Sequence, residues 1–333
     1  MKVVNLQIAL SGGGAEKVTE LLSPHLERQL DGFIRVGCVG ADTNVKDTFV
    51  LTKRDSLFAK VFLAPLRLSK FLSETKPDVV HVHCERPEFT LAMASLFPKF
   101  PKKHAMPKVF VTEHTARPWP NSELLGRVVR RRLAKLDAHW YTCIEGDTSK
   151  TFIPNPVQPL PKLKESSGNP RIFVLGRLAR GKRVDRLIQT AQQLDNLPEF
   201  LIVGDGPERG YLESLAKSTP QVKFLGAVVR PWEFIREGDI YLSASEYEGS
   251  PLALLEAMSL GVQVLVSDIP AHRALLNSNS LFASPEEFCS KLTAMLAHKR
   301  EMLLDGDSLL LDRFIEARRP QKIASLWLRE YRK

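Results

Sequence analysis

The sequence predicts an α/β protein built of two halves, each a series of parallel βαβ units. Three observations lead there. Short apolar strands alternate with helix-length segments along most of the chain, the pattern that crossover helices impose on a parallel sheet. A proline-rich stretch, Pro154–Pro161, interrupts that alternation near the middle. The chain, at 333 residues, is longer than one hydrophobic core usually supports.

In chain order, Val3–Leu10 reads as a buried strand, followed by the glycine loop Gly12-Gly13-Gly14 and a helix over Ala15–Leu30. Apolar runs at Ile34–Val39, Val79–Val82, Val109–Thr112 and Trp140–Ile144 supply further strands. The prolines of Pro154–Pro161 lack N–H donors and cannot continue a helix or a central strand. With the polar run that follows, up to Pro170, they read as an interdomain linker. A second series starts with a strand over Arg171–Gly176 and a helix over Lys182–Leu194. Strand Glu199–Val203, helix Glu208–Ser218 and strands Val222–Leu225 and Ile240–Ser243 follow. An apolar helix through Ala257–Leu260 ends at Gly261, a residue suited to a helix C-cap, before the strand Val262–Val266.

Bulk properties narrow the class. A hydrophobic content of 44% fits a globular protein, and no apolar run approaches the roughly 18–20 residues that a membrane span needs. Met1–Leu6 enters a strand directly, without a signal peptide's apolar region. Cys38, Cys84, Cys143 and Cys289 are scattered, so reduced thiols in a cytoplasmic protein are expected, with neither a disulfide framework nor a zinc site. Residues 1–160 carry 23 Lys/Arg against 16 Asp/Glu, a net of +7 out of +9 for the chain. Two clusters stand out, Lys99–Lys103 with three lysines and Arg127–Arg132 with four arginines. They suit an anionic membrane surface or an acidic glycan, or simply form a solvated helix face. No nucleic-acid partner is expected.

The residues with most chemistry lie in Glu248-Gly249-Ser250-Pro251-Leu252-Ala253-Leu254-Leu255-Glu256. Two acids, eight residues apart, flank a turn that feeds a helix N-terminus. Free N–H groups there suit an anionic ligand, and each carboxylate can accept hydrogen bonds from sugar hydroxyls. Upstream, Arg177 follows a strand and Lys182 opens the next expected helix, where a planar fork and a point cation suit a diphosphate. Gly12-x-Gly14 alone is a weak dinucleotide fingerprint, because Lys17 stands where a third glycine belongs.

Taken together these segments resemble the retaining family 4 nucleotide-sugar glycosyltransferases, over about residues 171–275 and in the family's order. Gly176–Ile188 resembles the diphosphate clamp, with Arg183 standing where the family usually has glycine. Phe200–Glu208 and Val222–Val228 resemble the strands beside the nucleobase, and the glutamate pair resembles the family's E-x7-E donor motif. The first half matches loosely, through Gly12–Glu16, His114 and Ile153–Val157.

The resemblance implies a GT-B fold: two Rossmann-like α/β/α domains facing each other across a cleft. An acceptor-binding domain over 1–158 and a nucleotide-sugar domain over 159–310 are expected. A closing helix over 311–333 would pack back on the first domain. It implies catalytic roles for His114, Arg177, Lys182 and Glu248. Donor contacts are implied for Gly13, Gly14, Gly206, Gly249, Ser250, Pro251, Leu252 and Glu256. The donor, a UDP-sugar by preference, would pass its sugar to a hydroxyl of a glycan or glycolipid in lipopolysaccharide core or surface polysaccharide synthesis. No metal and no cofactor is expected, since Arg177 and Lys182 can neutralise the diphosphate; Asp305-Gly306-Asp307 reads as a turn. Ser243-Ala244-Ser245-Glu246 offers no catalytic triad. Two other readings remain open, a catalytically silent nucleotide- or sugar-binding subunit of an envelope-assembly complex and an NAD-dependent oxidoreductase using Gly12–Gly14.

Overall fold

The computed structural model describes residues 1–10, 13–40, 47–53, 55–102, 104–120, 122–165, 168–194, 196–297 and 308–333. The chain forms two compact units. Unit 1 comprises Met1–Pro156 and Pro320–Lys333, and unit 2 comprises Val157–Arg319.

Unit 1 is built on β1 (Lys2–Gln7), α1 (Gly14–Glu27), β2 (Gly32–Gly37), β3 (Thr48–Val50), α2 (Ala64–Thr75), β4 (Val79–His83), α3 (Glu85–Ala94), β5 (Lys108–Glu113), α4 (Glu123–Ala134), β6 (His139–Thr142) and β7 (Thr151–Phe152). All strand pairs are parallel, in the order β3-β2-β1-β4-β5-β6-β7. Central strands of such a sheet are covered on both faces, which is why β1 and β4 read as near-continuous apolar runs. On one face Leu6, Val80, Val82 and Val111 pack against Leu68 and Leu72 of α2, Leu91 of α3 and Leu133 of α4.

In unit 2 the order is β8 (Ile172–Leu175), α5 (Val184–Ala191), β9 (Phe200–Val203), α6 (Arg209–Leu215), β10 (Val222–Gly226), β11 (Ile240–Ser243), α7 (Leu252–Ser259), β12 (Gln263–Ser267), α8 (Pro270–Arg273), β13 (Leu281–Phe282), α9 (Pro285–Ala297) and α10 (Ser308–Ala317). The sheet runs β10-β9-β8-β11-β12-β13, again all parallel. The chain thus reverses direction across each sheet on either side of its first strand, a topology that gathers loops at the carboxyl ends of neighbouring strands.

Two expectations are refined. The segment 154–170 is not a free linker: Val157 lies in the core of unit 2, donates to Arg318 O at 2.8 Å, and Lys164 pairs with Arg236. Residues 311–333 divide between the units. Leu311, Phe314 and Ile315 of α10 pack on the core that contains Leu254 and Leu255 of α7, within unit 2. Only α11 (Pro320–Arg332) belongs to unit 1, where it lies against α1. Its buried stripe of Ile323, Ala324, Trp327, Leu328 and Tyr331 has the helical spacing that one-sided packing requires. The turn expected at Asp305–Asp307 lies outside the described residues.

α11 also closes a polar site. The buried His81 hydrogen-bonds the Tyr331 hydroxyl through Nδ1 at 2.6 Å and Thr112 Oγ1 through Nε2 at 2.7 Å, with the Trp327 ring 4.4 Å away. Trp327→Ala should therefore cost unit 1 about 3–5 kcal/mol, the usual toll for emptying a large aromatic site. Hydrogen exchange resolved by segment checks this. Loss of protection in β4 and β5 with β8 and β11 unchanged is expected, and equal loss in both units would refute it.

Candidate functional site

In unit 2 the carboxyl ends of β8, β9 and β10 are laced together by backbone bonds. Gly176 N–H donates to Val203 O at 3.0 Å, Leu178 N–H to Asp205 O at 2.9 Å and Gly204 N–H to Gly226 O at 2.8 Å. Gly204, at φ +147°, sits so close to Gly176 that any Cβ would overlap its carbonyl oxygen. A Cβ on Gly206 would likewise overlap the carbonyl oxygen of Leu178. Gly206, expected beside the donor, is thus required by strand-to-strand approach.

Arg177 is exposed, and its two flanking residues are both fixed by these bonds. Lys182 does not open a helix: it lies in a 3-10 turn, Arg180–Lys182, and α5 begins at Val184. The residue between them, Arg183, is left-handed at φ 49°, a conformation that favours glycine. Its guanidinium pairs with Asp185 at 3.0 Å and Glu246 at 2.7 Å, so in this structure Arg183 neither extends freely into solvent nor stands as an unpaired phosphate ligand.

The expected glutamate loop reaches the same place. Glu246 N–H donates to Gly181 O at 2.9 Å, which brings the loop after β11 against the 3-10 turn. Lys182 Nζ then meets Glu248 Oε1 at 2.5 Å, an oxygen that also accepts from Ser245 Oγ at 2.7 Å. Gly249 and Pro251 are buried, Ser250 is half-buried, and α7 starts at Leu252. The first intrahelical bond at this end runs from Leu255 N–H to Pro251 O, so the N–H groups of Leu252, Ala253 and Leu254 make no bond within the helix. Glu256, one turn into α7, is buried and accepts from Gln158 Nε2 at 3.4 Å. Unit 2 therefore brings Lys182 and Glu248 into contact ahead of the start of α7, with exposed Arg177 on the segment that leads from β8 into the same 3-10 turn. Ser245, which sequence reading weighed only as a triad member, joins them, with Ser267 and His272, to which it gave no role. Their signal was positional, since Ser245 follows β11, Ser267 ends the adjacent strand β12 and His272 lies in the short helix after it.

Unit 1 holds the remaining expected residues apart from these. Gly13 is the N-cap of α1 and Gly14 its first residue. The start of this helix is already occupied by the protein's own carboxylate. Glu16 is buried, accepts from Ala9 N–H at 3.4 Å, and its side chain fills the space that a Cβ on Gly13 would take. A pyrophosphate placed there would face this carboxylate, which weakens both a donor-phosphate role for Gly13 and Gly14 and the oxidoreductase reading.

His114 lies at the carboxyl end of β5, as expected, but both ring nitrogens are engaged. Asn5 Nδ2 donates to His83 Nε2 at 2.7 Å, so His83 carries its proton on Nδ1 and donates to His114 Nε2 at 2.8 Å. His114 Nδ1–H then points to Cys143 Sγ at 3.3 Å. Bonding a sugar would require releasing one of these partners. Burial lowers all three imidazoles: His81 to about 3, His114 to about 4, and His83 well below its ordinary value. At the head of α3, Cys84 adopts φ 69° and ψ 171°, a region nearly restricted to glycine, and its thiol is pushed up by burial.

The basic run of α4 is not one exposed surface. Arg130 pairs with Glu113 at 2.7 Å and lies over the Trp140 ring, and Arg132 donates to Ser95 Oγ at 2.7 Å. Arg127 and Arg131 are exposed. In the other cluster Lys102 is exposed, and Lys103 lies outside the described residues.

Comparison with known proteins agrees with this layout. Residues 169–298 match the family described as "Glycosyl transferases group 1". The chain is 25% identical over 156 residues to the O-antigen biosynthesis glycosyltransferase WclY of Escherichia coli, covering 45% of this chain and 44% of that protein. It is 23% identical over 294 residues to the alpha-monoglucosyldiacylglycerol synthase of Acholeplasma laidlawii, covering 74% and 70%. Among solved structures it superposes on the lipopolysaccharide outer core galactosyltransferase WaaB with a TM-score of 0.67 at 18% identity, covering 98% and 97%. It superposes on Anabaena HepE in complex with UDP with a TM-score of 0.72 at 16% identity, covering 99% of each chain. The chain spans less than half the length of WclY. These likenesses bear out the GT-B fold and the resemblance read from the sequence.

The histidine cluster predicts a pH window. Each imidazole has its folded pKa depressed below the unfolded value near 6.5, so the unfolded chain binds more protons as pH falls. Stability is complete above pH 6.5 and is lost on acidification towards pH 4, by roughly 1.4 kcal/mol per pH unit for each neutral histidine that the unfolded chain protonates. Urea unfolding of the His83→Asn variant against the parent, at pH 7.5 and 5.0, should show a shallower acid slope in the variant. Identical slopes would mean that His83 is not held neutral.

Proposed function

We propose that this chain, a GT-B protein whose unit 2 carries the glycosyl transferases group 1 pattern, is a retaining glycosyltransferase. It would take a nucleotide-sugar, a UDP-sugar by preference, and glycosylate a hydroxyl of a glycan or glycolipid in lipopolysaccharide or surface polysaccharide synthesis. The observation that carries the proposal is the Lys182–Glu248 contact at 2.5 Å, with exposed Arg177 on the neighbouring strand end. A cation that can help neutralise a diphosphate and a carboxylate that can accept sugar hydroxyls lie side by side.

In this reading Arg177 and Lys182 hold the diphosphate, and Glu256 accepts from ribose hydroxyls. Glu248, with the N–H groups of Gly249, Ser250 and Leu252, contacts the sugar. The acceptor oxygen bonds to the anomeric carbon on the face the diphosphate leaves. The bond from that carbon to the phosphate oxygen breaks with its electron pair on oxygen, and the acceptor proton passes to that oxygen. The cations act where this negative charge grows, which is where fixed charges lower a barrier most. The reaction needs no divalent ion in this scheme. His114 keeps its internal partners and shapes unit 1. A catalytically silent binding subunit would use the same unit 2 residues for binding alone.

A panel of nucleotide sugars scored by thermal shift identifies the donor, because a bound ligand raises stability by RT ln(1 + [L]/Kd). With that donor, Arg177→Ala and Lys182→Ala should each lower turnover by about 10²-fold or more, while EDTA leaves the parent active. Chelation that abolishes activity, restored by magnesium or manganese, overturns the metal-free scheme. Donor binding without transfer to any acceptor would favour the silent subunit.

For the acceptor we propose a site at the inner face of the cytoplasmic membrane. The support is the outward face of α4, where Leu124 and Val128, 68% and 55% exposed, alternate with Arg127 and Arg131. Apolar side chains ringed by arginines suit an anionic lipid interface. Arg127→Glu with Arg131→Glu should abolish sedimentation with vesicles rich in phosphatidylglycerol at 0.1 M salt. Binding of the parent should weaken at 1 M salt, where screening shortens to about 3 Å. Equal binding to neutral vesicles, or none to either, removes the membrane part.

A further inference from the structure

His272 is buried as the third residue of the short helix α8 and has no counterpart in the scheme above. Its Nδ1 lies 2.7 Å from Ser267 O. A carbonyl oxygen only accepts, so Nδ1 carries the proton and Nε2 is left as a bare acceptor. That Nε2 is buried and has no hydrogen-bond partner among the described residues. A leucine would fill the same volume without stranding a polar atom, so packing alone does not account for an imidazole here.

What the Nδ1–H reaches is a relay of short bonds. Ser267, whose carbonyl it holds, ends β12 and donates its hydroxyl to Ser245 O at 2.7 Å. Ser245 follows β11 and donates its own hydroxyl to Glu248 Oε1 at 2.7 Å, the oxygen that meets Lys182. Ser243 Oγ adds a bond of 3.2 Å to Ser245 Oγ. We infer that His272 is a positioning residue for Glu248, acting through Ser267 and Ser245. It fixes the end of β12, which fixes the backbone and hydroxyl of Ser245, which orients the carboxylate opposite Lys182. Burial keeps the ring neutral, with Glu248 and Asp268 raising its proton affinity and Lys182 lowering it. The role of Glu248 in holding a sugar rests on the proposed function; the relay itself does not.

Two variants separate the ring's nitrogens. His272→Asn can present an amide N–H where Nδ1–H stood, whereas His272→Gln reaches towards Nε2. With UDP-glucose, UDP-galactose and UDP-N-acetylglucosamine as probes in calorimetry, His272→Leu should weaken the best-bound sugar nucleotide about tenfold. Affinity for UDP should stay within about twofold, and His272→Asn should recover most of the loss. In a Glu248→Gln background His272→Leu should have no further effect. Rescue by glutamine but not asparagine would make Nε2 the functional atom and overturn the inference, as would a parallel loss of UDP affinity. A cycle of His272→Leu with Glu248→Gln in ligand-free urea unfolding should be non-additive by about threefold or more in the equilibrium constant. Additivity there sinks the relay, whatever the ligand. If the parent binds no sugar nucleotide, the proposed function fails instead, and the unfolding cycle still decides on His272.

Discussion

The chemistry of unit 2 depends on one close approach between two backbones. Gly204 has no room for a side chain because the carbonyl of Gly176 occupies that space. This contact lets β8 and β9 end in register, so that bonds from Gly176 and Leu178 clamp the chain on either side of Arg177. A flexible side chain is thereby mounted on a fixed base, which limits the disorder a ligand must remove to engage it. The loop after β11 is tied to the same framework through Gly181, and Lys182 and Glu248 meet as a result.

That meeting has an energetic meaning. Lys182 and Glu248 are partly shielded, with side chains 38% and 14% exposed, and each satisfies the other. An anionic ligand does not find a bare ammonium waiting; it exchanges one negative partner for another. The carboxylate it displaces is released towards whatever hydroxyls the ligand carries. Such an exchange favours ligands that bring both a negative group and hydroxyls, and penalises ligands that bring only one.

The sequence was legible where local chemistry decides the outcome. The alternation of apolar strands revealed both sheets, because buried parallel strands tolerate little else. Arg177, Lys182, Glu248 and Glu256 were legible as a set because their spacing matches a known pattern, and Lys182 and Glu248 do meet. The helix expected from Lys182 was shifted by two residues, since Arg183 takes the left-handed turn that a glycine would have advertised. Three other features were illegible because they depend on neighbours distant in sequence. Glu16 fills the space beside Gly13, His83 and Cys143 satisfy His114, and Ser267 links His272 to Ser245. The arginine run looked like a single surface because a string of letters does not show that Arg130 turns in towards Glu113.

Unit 1 is discontinuous: α11 supplies Trp327 and Tyr331 to its core only after the roughly 160 residues of unit 2 have intervened. On the ribosome this imposes an order. At about 5–20 residues per second, the strands of unit 1 wait on the order of 10–30 s for the helix that covers them. During that wait the face of β4 bearing His81 is bare, while unit 2, continuous in sequence, is free to complete itself first. The first sheet, the larger of the two in the finished protein with seven strands against six, is thus the one that must wait for its last covering helix.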